Sequence, residues 1–162
     1  MTLQVFTGPK LFDFLQVCHR LPSDEKEQYE AFSGEAYDPE KIAAIVSLRD
    51  GPGWVIVAEG KPIVVAGYAM IRPGVWQDWL LSTPEAWTTH WRGVTKICRR
   101  AMDAMLRSEA HRLQCVSLAS RIHAHRWYRP LGLVQEGVLH GYGVNGEDAI
   151  MFARLRDPDG HE

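Results

Sequence analysis

Residues 124–133, Ala-His-Arg-Trp-Tyr-Arg-Pro-Leu-Gly-Leu, decide how the rest of the chain is read. An aromatic helix end followed by Pro130, Gly132 and an apolar residue means that a helical stretch over 122–131 stops, turns and enters a strand. Upstream lies a short apolar run, 113–118, of buried-strand character. Downstream, 133–144 and 149–155 pair as a closing hairpin with Asn145-Gly146 predicted as its turn. Before 113–118 comes the best amphipathic pattern in the sequence. Val94, Ile97, Cys98, Ala101, Met102 and Met105 fall at helical spacing, with Arg92, Lys96, Arg99, Arg100 and Arg107 directed away from them.

Farther back, 54–59, 63–71 and 75–82 are β-branched and aromatic runs separated by Gly60-Lys61-Pro62 and Arg72-Pro73-Gly74, which predicts an antiparallel meander. Thr83-Pro84-Glu85 starts a helical turn, with Gly93 expected to divide it from the long helix. At the N-terminal end, 3–6 reads as a strand and 11–18 as a helix. Residues 23–38 are acidic and weakly periodic, with a short helix opening at Ser23, and 39–48 is a clearer helix; together they form a helical, partly mobile lobe. The fold class is α/β (α+β), a mixed and mostly antiparallel sheet with helices on both faces, in one domain over 1–156 and a frayed tail over 157–162.

The 162 residues are 46% hydrophobic and 23% charged, a globular balance. No basic-then-apolar leader and no run of eighteen apolar residues is present, so a cytoplasmic location is expected and membrane spanning is not. Three cysteines, Cys18, Cys98 and Cys115, lack C-x-x-C spacing and predict reduced thiols. His123, His125, His111 and Cys115 are the candidate metal ligands, but His-x-His on a helix sends its rings to different faces and no carboxylate completes a set; no metal is expected. The net charge of −2 hides an asymmetry. Residues 92–129 carry nine Lys or Arg against Asp103 and Glu109, and the remainder nine against eighteen acids, so +7 faces −9. Such a segment suits a phosphate-bearing ligand, an acidic partner or nucleic acid, or is simply a solvated helix face. Nucleic acid has no docking motif to support it, and no hydrolase elbow, P-loop or dinucleotide fingerprint occurs.

The order strand, helices, meander, long helix, strand, helix, hairpin resembles the GNAT acetyltransferase superfamily, and 124–133 looks like that family's A-x-x-x-Y-x-x-x-G-F segment. The resemblance implies an N-acetyltransferase using acetyl-CoA and an amine-bearing acceptor, small molecule or protein. It gives Tyr128 the general-acid role toward the departing thiolate, beside the plainer reading of Tyr128 and Trp127 as core aromatics. It places the CoA phosphates on the backbone of Arg92, Gly93, Val94, Thr95 and Lys96, at the start of the long helix. Departures are evident: one glycine stands where the family has a glycine-rich loop, 84–91 is an extra segment whose Trp87 and Trp91 are placed to fill the cofactor cleft, and Arg121 replaces the family's Asn. Candidate bases are Asp78, Glu59, Glu85 and His90, each also readable as a surface or capping residue. Over 63–155 the pattern is similar to small GNAT-like proteins of short-tailed bacteriophages. That likeness implies the alternative, a catalytically degenerate phage-encoded protein that binds a phage or host protein in virion assembly or host takeover, located in the host cytoplasm or the virion.

Overall fold

The computed structural model describes residues 2–158. Residue 1 and residues 159–162, most of the expected tail, lie outside the described residues. Strand β1 (Gln4–Thr7) is followed by helices α1 (Leu11–Cys18), α2 (Ser23–Ser33) and α3 (Pro39–Ser47), and then by the meander β2 (Gly53–Ala58), β3 (Lys61–Arg72) and β4 (Val75–Ser82). The short α4 (Pro84–Thr88) leads to the long α5 (Trp91–Arg107), β5 (Arg112–Leu118), α6 (Ile122–Tyr128), a 3-10 turn (Arg129–Leu131), β6 (Val134–Leu139) and β7 (Ala149–Leu155). One seven-stranded sheet results, ordered β1-β2-β3-β4-β5-β7-β6 and antiparallel except between β4 and β5.

The sheet is covered on both faces, which is why β3 reads as a nearly continuous apolar run. Alternation sends Ile56, Val64, Ala66, Tyr68 and Trp76 to the face under α5, where they meet Val94, Cys98, Met102, Met105 and Leu106. Their neighbours Val55 and Val65 go to the other face, against Phe14 and Val17 of α1 and Ile42 and Val46 of α3. Full burial of such side chains contributes roughly 1.5–3 kcal/mol each. Gly67 faces Trp79 across the β3–β4 ladder, and a Cβ there would sit 2.5 Å from both the indole and the Pro52 carbonyl oxygen. Only glycine leaves room for that ring.

Three local expectations change. First, α5 begins at Trp91, two residues ahead of Gly93: the Val94 amide donates to His90 O at 3.0 Å, so the helix is already under way at the glycine. Gly93 is small because Leu3 packs on it, 2.6 Å from where a Cβ would stand. Second, β6 ends at Leu139, and Asn145-Gly146 turns inside a longer loop. That loop is drawn away from the hairpin by docking on α2, with the Val144 amide donating to Ala31 O and Tyr142 packed edge-on against Phe32. Third, residues 23–33 form a full helix, ended by Gly34 in the left-handed region (φ 74).

Candidate active site

β4 and β5 are paired only at Val75–Arg112, Trp76–Leu113 and Gln77–Gln114, after which they part. Each stays paired on its outer side, β4 to β3 and β5 to β7. Their inner edges beyond Gln77 and Gln114 therefore have no sheet partner, and buried amides left so are costly. The Thr83 amide donates to Ile63 O, so strand alternation turns the amides of Leu80 and Ser82 into the gap. On β5 the Ala119 amide donates to Asp148 O, and Leu118 is turned into the gap in the same way.

Helix α2 closes these edges. Glu25 and Gln28 are one turn apart and share a helix face. Glu25 Oε2 accepts the Ser82 amide at 3.2 Å, and its Oε1 accepts the Ser82 hydroxyl, while Gln28 Oε1 accepts the Leu118 amide at 2.9 Å. Next to them Asp24 Oδ2 accepts from Arg121 Nε at 2.9 Å and lies 3.1 Å from His123 Nε2, which fixes α2 to the start of α6. Ser82 Oγ in turn accepts the Trp87 indole N–H at 2.7 Å. Burial pushes the Glu25 carboxyl up to about 7, against the opposing pull of the Ser82 hydrogen bonds and of Arg121. A carboxylate titrating there exchanges a proton near neutrality.

Through the gap runs a cavity of about 920 Å³, lined on one side by α2 and α3 and on the other by α5 and α6. Tyr128, Asp78 and Glu25 all border it. Burial holds the Tyr128 phenol well above the usual range, with Arg121 and the nearby Ser117 hydroxyl pulling the other way, so the phenol stays protonated. Its ring is set by an edge-on contact with Phe152, centroids 4.9 Å apart. Asp78 follows the last β4–β5 pair, and its Oδ1 is buried with no hydrogen-bond partner. Burial drives that carboxyl well above its ordinary range, only partly opposed by Arg154.

Of the other candidate bases, Glu59 occupies the tight β2–β3 turn at φ 50, away from the cavity. Glu85 is 2.9 Å from the Arg20 guanidinium, and His90 is the residue preceding α5. Around the start of α5, Val94 is fully buried with its amide already bonded to His90 O; Thr95 Oγ1 bonds Trp91 O at 2.6 Å and accepts the Trp127 indole at 2.7 Å. The amides of Arg92 and Gly93 precede the first intrahelical bond and are the first-turn donors at this end. Trp87 and Trp91 both border the cavity, and Trp87 reaches from the Ser82 hydroxyl at the β4 edge to Trp127 of α6. Trp87 stands edge-on to Trp127, centroids 4.6 Å apart, and Trp91 is 48% exposed. His125 Nε2 lies 3.2 Å from Ser117 Oγ, on the opposite side of α6 from the His123–Asp24 contact.

Glu25 and Gln28 escape sequence reading. Ser23-Asp24-Glu25 has the form of ordinary first-turn acids, and the one signal against that reading is the weak apolar stripe of α2, which leaves its inward face to be polar.

No protein-family model matches this sequence, and no curated protein matches it either. Solved structures do. An acetyltransferase of the GNAT family from Bacillus anthracis superposes with a TM-score of 0.73 at 10% identity, covering 96% of each chain. A point variant of a spermidine N-acetyltransferase from Vibrio cholerae gives 0.70 at 15% identity, over 95% of this chain and 94% of that one. The ribosomal-protein-S18-alanine N-acetyltransferase from Escherichia coli gives 0.70 at 15%, over 99% and 98%. The chain has the GNAT fold.

Proposed function

We propose that this chain transfers an acetyl group from acetyl-CoA to an amine, with the reaction centred in the gap between β4 and β5. One observation carries this reading: a cavity lined from both faces of the sheet and bordered by Tyr128 and Glu25, whose phenol and carboxyl are both pushed up by burial. The residues fit the cosubstrate. The amides of Arg92 and Gly93, at the positive end of α5, would take the diphosphate, and the inward amide of Leu80 the pantetheine arm. Acetyl-CoA, when bound, supplies a thioester activated toward attack by nitrogen. Glu25, ionised above about 7, accepts the proton shed by the acceptor nitrogen as the new C–N bond forms. Tyr128 donates its phenol proton to the sulfur as the C–S bond breaks. Asp78, buried and held well above the ordinary carboxylate range, keeps its proton and is the weaker candidate for base.

Thermal denaturation with and without acetyl-CoA tests the reading. A ligand at a hundred times its Kd adds about 2.7 kcal/mol to folded-state stability, so a clear rise in Tm is expected at millimolar acetyl-CoA. No rise overturns the assignment.

A second reading, a GNAT-fold protein that binds another protein without catalysis, is favoured by two features. Gly93 is packed by Leu3, and the Ser82 edge amide is already taken by Glu25. The likeness to small phage GNAT-like proteins adds virion assembly or host takeover as its setting. That reading predicts no response to acetyl-CoA.

A further inference from the structure

The acceptor side of the cavity, between α2, α3 and the sheet, is mostly apolar, with Phe32, Ile45, Val46, Trp79, Leu81 and Tyr142 in its walls. Its charged groups are nearly all satisfied: Asp24 by Arg121 and His123, and Glu25 by Ser82. Arg49 is the exception. It follows α3, lines the same cavity, and holds its guanidinium 5.9 Å from the Trp79 ring centroid. Among the described residues it has no ion pair. The residue is solvent-exposed, so a ligand can reach its guanidinium. This wall therefore offers one accessible cation without an ion pair, a guanidinium fork suited to a carboxylate.

Resting on the acetyl-transfer reading, we infer that the acceptor is a primary amine carrying both an apolar body and a carboxylate, of the class of apolar amino acids, with Arg49 binding the carboxylate. The amine then points inward to Glu25, and the apolar body lies along the aromatic walls.

The test measures thiol release from acetyl-CoA, and thermal stabilisation in the presence of CoA, using L-leucine, L-phenylalanine, L-phenylalanine methyl ester, 2-phenylethylamine and spermidine. The wild-type protein is expected to show a KM for the free acids on the order of 10- to 100-fold below that of the ester, the factor for a charge-assisted bidentate bond. Arg49→Gln removes that advantage for the acids and leaves the ester unchanged, and Arg49→Lys restores part of it. Preference for the ester or spermidine, an equal effect of Arg49→Gln on acid and ester, or no response to either acid overturns the inference. If the wild type is stabilised by acetyl-CoA and acetylates amines lacking a carboxylate best, the acceptor assignment alone fails. If acetyl-CoA gives no stabilisation, the transferase reading fails and takes this one with it.

Discussion

Glu25 ties fold and chemistry together, and Glu25→Gln separates them. The glutamine keeps an oxygen for the Ser82 amide but cannot ionise. In the wild type burial pushes the carboxyl from its ordinary 4.5 up to about 7, with Ser82, Arg121 and Asp24 as the polar and charged groups acting on it. A carboxyl raised in the folded state leaves stability untouched below about 4.5, where both folded and unfolded chains are protonated. As pH climbs toward 7 the unfolded chain ionises first, and folding loses free energy until the folded group also ionises. The gap from 4.5 to about 7, at about 1.4 kcal/mol per pH unit, amounts to about 3 kcal/mol. Urea denaturation of both proteins from pH 4.5 to 8.5 reads this directly. The variant should gain on the wild type by about 3 kcal/mol over that window, with the change complete above about 7. Because the difference between the two curves cancels every other titrating group they share, a flat difference refutes the buried, neutral-pH carboxyl and with it the proton acceptor. Activity should move oppositely: the variant loses on the order of a hundredfold in kcat, and the wild-type rate rises through pH 7.

Tyr128→Phe should lower kcat about a hundredfold with little change in KM or in stabilisation by acetyl-CoA; steady-state kinetics check it, and a KM effect alone would reassign the ring to packing. Gln28→Ala leaves the Leu118 amide without its 2.9 Å partner and should cost about 1–3 kcal/mol in urea denaturation. Gly67→Ala drives a Cβ to 2.5 Å from a carbonyl oxygen and an indole, neither free to retreat, and should cost about 3 kcal/mol or more. Gly93→Ala meets the flexible end of Leu3, and a helix-propensity gain of about 1 kcal/mol offsets the clash, so its Tm should stay close to wild type.

The sequence by itself determined the elements whose cause is local. Alternating apolar runs yield β2, β3 and β4, the 3.6-residue stripe yields α5, and the aromatic helix end with Pro130 and Gly132 yields the turn that follows Tyr128. It also brought Tyr128 and Asp78 forward as candidates, and both border the cavity. Periodicity reports which way a side chain faces, not what it meets there. The parting of β4 from β5, the departure of the 140–148 loop toward α2 and the packing of Leu3 on Gly93 depend on distant residues filling particular spaces. Most of all, only the tertiary structure decided that two polar side chains of a weakly amphipathic helix cap opposite edges of the split sheet. Their partners lie 57 and 90 residues away along the chain. An acid at a helix start is stable in water as well, and it becomes a buried carboxyl near neutrality only when the fold removes that water and puts the Ser82 amide in its place.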